Sequence, residues 1–204
     1  MTEDFADKIP PLHVLETRFG FIDNPMLKQN AAIYLRYVMF LLALSEEDGL
    51  ESLTYTVYKD IIIFTASTIE AALDYTCRKL ILQGKADEDI YGVTKKLEDV
   101  GGIKHDCEDL YHAELRVVKK SKVLKLHSGD DISFAEINRA AKSAKVLDDK
   151  LFDAAEKLRN KRNTIHLITL KKSSDDYFKK SDVEDAFKYA HDILLKIESL
   201  SVAV

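Results

Sequence analysis

The sequence predicts an all-α helix bundle with a long central helix and a short N-terminal extension. Prolines are confined to the start: Pro10, Pro11 and Pro25 are the only ones in 204 residues, so every later residue keeps the backbone N–H that an uninterrupted helix requires. Glycine numbers only 7, too few to punctuate the many turns of a β-fold. Apolar residues recur mostly at steps of three and four, the period of a helix that buries one face. With 46% hydrophobic and 32% charged residues, the chain has the balance of a globular protein with material for a good core.

Residues 1 to 23 read as the extension and residues 24 to 204 as a single helical-bundle domain. Asn24 followed by Pro25 supplies an N-cap and a preset first helical position, opening a helix to about Leu44, where SEEDG stops it. The next helix starts near Ser52 or Thr54 and ends at Gly84. Its Tyr58, Ile62, Thr65, Ile69, Leu73, Thr76 and Leu80 form a long, mostly apolar stripe, which makes it the expected central helix. Ile90, Val93, Leu97 and Val100 outline a shorter helix closed by Gly101 and Gly102, and another helical stretch is expected from about Asp106 to Leu126. SFAE at Ser133 is a capping box that opens a helix to about Leu147. A second box, SDVE at Ser181 to Glu184, opens the C-terminal helix, with Val183, Phe187, Ala190, Leu194 and Ile197 on one face. Between them a helix is expected from Asp148 to about Ile168. Flexible connections are expected at residues 1 to 23, Ser45 to Gly49, Ser128 to Asp131 and Lys171 to Asp176.

A net charge of -5 argues against a protein coated in positive potential, because phosphate binding needs clustered Lys and Arg. It leaves room for one local basic site. Cys77 and Cys107 are the only cysteines, and the opening MTEDFADKIPP has no charged-then-apolar leader. The expectation is a cytoplasmic protein with free thiols. The most apolar run, Tyr37 to Leu44, falls short of the roughly 20 residues that cross a bilayer, so it is read as a core helix and no membrane partner is expected.

The most informative stretch is LRNKRNTIHL, Leu158 to Leu167. On an ideal helix Leu151, Ala154, Ala155, Leu158 and Ile165 fall within one arc that packs on the bundle. Arg162 lies at its margin, and His166, Arg159 and Asn163 continue from it. Two guanidiniums, an amide and an imidazole then share one half-sheltered edge, where charge interactions strengthen and a pKa can move. A phosphodiester suits this set: Arg offers planar donors that grip two phosphate oxygens, and His exchanges a proton near neutral pH. Lys157, Lys161, Lys171 and Lys172 add positive charge with no acid between Lys157 and Lys172. The plainer alternative is that the arginines form ion pairs and the histidine is a packing residue.

This segment resembles the signature of the HEPN superfamily (higher eukaryotes and prokaryotes nucleotide-binding domains), in its RNase-toxin-like branch. That signature is an Arg, usually followed by a polar residue, separated by about four to six residues from a His on a late helix. Arg159 is followed by Asn160 and reaches His166 across six residues, whereas Arg162 and Asn163 form a second Arg-polar pair only three residues short of His166; both assignments stay open. TASTIEAALDYTCRKLIL, with Glu70, is similar to the long helix of such domains, and ISFAEINRAAKS to the helix before the motif. The resemblance implies a metal-independent endoribonuclease without cofactor, of the kind found in toxin-antitoxin and phage-defence systems. Arg159, Asn160 and His166 would be catalytic, with Arg162, Asn163, Glu70 and Lys161 in support. The implied partners are RNA, a second copy in a homodimer and an antitoxin protein. The alternative is a non-catalytic HEPN-like bundle that binds RNA, nucleotide or a protein partner through the same edge.

Other candidates are weaker. His105, Cys107, Glu108 and His112 match no closed zinc spacing, so no metal is expected. Tyr34, Tyr37, Phe40, Tyr55 and Tyr58 recur at helical spacing and are expected to be core or helix-packing residues rather than base-stacking platforms.

Overall fold

The first helix forms because Pro11, held in an extended conformation, opens α1 (Leu12–Glu16), which tightens into a 3-10 turn over Thr17–Phe19. The computed structural model describes residues 9–47, 53–91, 97–99, 118–120, 132–164 and 178–202. Leu15, Phe19, Phe21 and Ile22 are all buried in the main core. Residues 9 to 23, expected to be flexible, are therefore packed: four large apolar side chains outweigh the entropy of ordering so short a segment. The chain is latched to the bundle just afterwards. The backbone N–H of Asp23 donates to the Tyr75 hydroxyl at 2.8 Å, and its carboxylate pairs with Lys79 at 2.7 Å.

Asn24 caps α2 (Pro25–Leu44) as expected, its side-chain oxygen accepting the Leu27 N–H at 3.0 Å. Next comes α3 (Thr54–Leu82), a helix of 29 residues in which Ile61, Ile62, Ile69 and Leu73 are fully buried. It ends in a Schellman turn: Gly84, at φ +67°, donates to the Ile81 carbonyl and Lys85 to that of Leu80. After a 3-10 turn (Glu88–Tyr91) the described chain continues as β1 (Leu97–Asp99) and β2 (Val118–Lys120), an antiparallel pair with Leu97 opposite Lys120. Three helices follow: α4 (Phe134–Ser143), α5 (Asp149–Asn163) and α6 (Lys180–Val202). The fold is thus an all-α bundle, and α3 packs against α2, α4, α5 and α6. Among the described residues no helix is long and apolar enough to cross a membrane.

Five elements differ from expectation. Leu97–Asp99 and Val118–Lys120 are strands, where helices were expected from Ile90 to Val100 and from Asp106 to Leu126. The three-four spacing of Leu97 and Val100 is too short a sample to separate the two periods. The helix opened by Ser133 ends at Ser143 rather than Leu147, because Lys145 adopts φ 59° and the Val146 N–H turns back to the Ala141 carbonyl. The C-terminal helix begins at Lys180, before the Ser181 box; the Asp182 carboxylate accepts the Lys179 N–H at 2.8 Å and supplies the cap. The helix α5 closes at Asn163 with Thr164 as its C-cap, so of the stretch expected to carry His166 the described residues reach only Thr164.

Around α3 one polar cluster is structural. The Tyr91 hydroxyl donates to Asp74 Oδ1 at 2.8 Å, and Asp74 also pairs with Arg78 at 2.7 Å. Beside it Cys77 is completely buried, and burial, with the nearby Asp74 charge, pushes its thiol up to about 12.

Candidate functional site

The edge predicted from sequence lies on α5 where it meets α3 and α4. The helix starts cleanly because Asp148 accepts the Leu151 N–H at 2.8 Å, and Leu151, Ala154, Ala155 and Leu158 face the core. With that stripe buried, Arg159 and Arg162 emerge at its margin, their side chains 22% and 33% exposed. Both are already engaged. Arg159 donates through Nε and Nη2 to Glu156, one turn back, with the shorter contact at 2.7 Å. Arg162 reaches across the bundle and pairs through Nη1 with Glu70 of α3, its guanidinium 5.9 Å from the centre of the Phe134 ring.

Behind this pair of contacts stands Asn138 of α4, completely buried, whose Nδ2 donates to Glu156 Oε1 at 2.7 Å. Asn138, Glu156 and Arg159 form one chain; Glu70, Arg162 and the Phe134 ring form another one turn further along α5. The Asn138 Oδ1 has no hydrogen-bond partner among the described residues. The two carboxylates respond differently. Burial pushes Glu70 above the usual carboxylate range, with Arg162 opposing the rise and Asp74 adding to it. Burial also opposes ionisation of Glu156, but hydrogen bonds from Arg159 and Asn138 outweigh it and hold that carboxyl below its usual range.

The other predicted residues are placed as follows. Asn160 and Asn163 are exposed. Lys161 faces α6, where it pairs with Asp182 at 2.9 Å and its Nζ stands 5.4 Å from the Phe178 ring centre. Asn160 and Lys161 line an open groove of about 330 Å³ between α5 and α6, with Thr164, Asp185 and Tyr189. So Arg159, Arg162 and Glu70 share one side of α5, while Asn160 and Lys161 lie on the side toward α6. His166 lies outside the described residues, as do Lys171, Lys172 and the His105, Cys107, Glu108 and His112 group.

The stretch without acids is not unopposed in three dimensions. Glu156, Glu70 and Asp182 each meet one of its cations. Sequence reasoning missed Glu156, Asn138 and Asp182. Asn138 had a signal: it sits within the arc of Phe134, Ile137 and Ala141, so a polar residue interrupts an apolar face. The partnership of Glu70 with Arg162, 92 residues away, had none.

What these side chains can do follows from the donors left over. Arg159 spends its Nε–Nη2 edge on Glu156 and keeps the donors of Nη1, whereas Arg162 uses Nη1 and keeps its Nε–Nη2 edge among the described residues. Each guanidinium can therefore hold its carboxylate and still offer N–H groups to an incoming anion. The class of protein that this defines is a helix bundle with an ionic seam between three helices, carrying two braced arginines. The comparisons add no family to it: no protein-family model, curated protein or solved structure matches the chain.

Proposed function

We propose that this chain is a metal-independent endoribonuclease of HEPN type, acting as a homodimer in a toxin-antitoxin or phage-defence setting with an antitoxin as protein partner. The reading rests on the Arg159 to His166 segment, and the observation that carries it furthest is that Arg159 and Arg162 are half-buried, braced by carboxylates and still have donors to spare. Such guanidiniums are pre-organised for a phosphate. In the reaction the RNA 2′-hydroxyl attacks the adjacent phosphorus; its proton leaves to a base, the new O2′–P bond forms, the P–O5′ bond breaks, and a proton is delivered to O5′. His166 transfers protons, and the arginines stabilise the charge that develops on the phosphoryl oxygens.

One observation favours a second reading, a non-catalytic bundle that binds RNA, nucleotide or protein. Both arginines are already neutralised by acids, as they would be in a purely structural seam.

The deciding assay incubates mixed-sequence RNA with wild type, His166→Ala, Arg159→Ala and Arg162→Ala in excess chelator. The nuclease reading expects wild type to leave 2′,3′-cyclic phosphate or its hydrolysis product and to spare all-DNA strands, which lack the nucleophile. His166→Ala should abolish cleavage with the helical content unchanged, and each arginine variant should lower both turnover and RNA affinity. RNA left whole by a wild-type dimer gives the function to the binding module.

A further inference from the structure

We infer that Asn138 of α4 is a positioning residue for the site: acting through Glu156, it holds the Arg159 guanidinium in the orientation in which it meets the phosphate. The inference rests on the nuclease reading above and adds to it a residue far in sequence from the Arg159 to His166 segment.

The buried face of α4 is otherwise apolar. Phe134, Ile137, Ala140 and Ala141 pack in the core, and Asn138 stands among them with no exposure at all. Its Nδ2 donates to Glu156 Oε1 at 2.7 Å. Only the NH2 end of the amide can face that oxygen, because the carbonyl would set one acceptor against another. Oδ1 is left buried, without a hydrogen-bond partner among the described residues, and such an acceptor costs stability. An amide that served the core alone would be matched at both ends. Here the matched end is the one that touches the carboxylate behind Arg159.

What that contact adds follows from the pair it supports. Glu156 and Arg159 are one turn apart on α5 and both half-buried, and two long side chains at this spacing, left to themselves, hold each other weakly. Asn138 gives the carboxylate a second anchor on another helix, on the side from which water is shut out, where a hydrogen bond to a charged acceptor is strong. Arg159 closes on the anchored carboxylate through Nε, at 3.1 and 3.0 Å from its two oxygens, and through Nη2 at 2.7 Å. These contacts fix the plane of the guanidinium and leave the N–H groups of Nη1 turned away from Glu156. A donor fixed in direction stabilises charge developing on a phosphoryl oxygen without reorganising during the reaction.

The test separates orientation from charge. Asn138→Leu keeps the branching of the side chain but has no donor, and Asn138→Ala, which cannot overfill the site, takes its place should the leucine variant not fold. In either variant the Arg159 charge remains, so KM for RNA should stay close to wild type while kcat falls about tenfold. Arg159→Ala should worsen both. Glu156→Gln should lower kcat as well, and adding Asn138→Leu to it should bring no further fall, because the two residues act along one route. A readout free of RNA comes from the Arg159 Nε–H resonance in proton–nitrogen correlation spectra, assigned by its absence from Arg159→Ala. In wild type the two Glu156 oxygens cover that proton and slow its exchange with water; in Asn138→Leu exchange should quicken and the resonance should move toward that of a free guanidinium. A folded Asn138 variant with wild-type kcat, or one with an unmoved Arg159 resonance, overturns the inference and leaves the nuclease reading standing. Falls that multiply in the double variant also overturn it, since Asn138 would then act by another route. Wild type that leaves RNA whole removes the nuclease reading itself, and the role assigned to Asn138 with it.

Discussion

Two of the places where the bundle pairs an acid on one element with a cation on another behave in opposite ways. At the N-terminal latch, Asp23 faces water, and hydrogen bonds from Lys79 and Tyr75 hold its carboxyl below the usual range. At the seam, Glu70 meets Arg162 just as directly, yet burial pushes its carboxyl up. A cation within reach does not decide the sign; the competition between that cation and lost hydration does. The latch is a contact that solvent screens and readily replaces. The seam holds charge where it is costly to keep, and such an arrangement is retained for placement more readily than for stability.

Breaking the interior should therefore cost far more than breaking the latch. The largest effect is expected from Asn138→Asp, which sets a fully buried carboxylate against the half-buried one of Glu156 and should destabilise by more than about 3 kcal/mol in urea unfolding. Arg162→Ala, which strands Glu70, should cost about 2 kcal/mol. The double change Glu70→Leu with Arg162→Met should recover most of that loss. Asp23→Asn should leave the urea midpoint near wild type at neutral pH; a latch variant as damaging as the seam variants would erase the contrast.

A pH series sharpens the same contrast. Glu70 titrates above its ordinary value of 4.5, so the fold disfavours its charged form. That penalty is absent below pH 4.5 and fully present above the raised folded value. Asp23 titrates below 3.8, so its contribution is present above pH 3.8 and is lost as pH falls through the lowered folded value. As pH falls from 7, the stability difference between wild type and Glu70→Gln should move in favour of wild type. The difference from Asp23→Asn should move against wild type only in the more acid range. Parallel trends in the two series would mean that burial does not separate the sites.

Much of the fold was legible because caps are local. Asn24 with Pro25, and Ser133 with Glu136, each signal a helix start within four residues, and both starts fall where they should. Ends were harder. Nothing at Lys145 announces a left-handed residue, while Val146 and Leu147 prolong the apolar spacing that suggested a longer helix. Lys145→Gly should relieve that backbone and raise stability by about 0.5 kcal/mol, the smallest of these effects. The β1 and β2 strands, three residues each, are too short to show alternation. Within the site, the half-buried edge of α5 follows from periodicity, but its carboxylates come from α3, from α6 and from one turn back on α5 itself. Local charge counting therefore reads as a basic patch what the fold turns into a series of ion pairs.

The buried thiol of Cys77 gives the bundle a clock. A sulfur held protonated to about pH 12 and shut away from solvent reacts with a disulfide reagent only after α3 opens, so labelling in native buffer reports how often the longest helix loosens. With Cys107→Ser removing the other thiol, a ligand that binds only the closed bundle would slow that clock, and the degree of slowing would measure how firmly it holds α3 closed.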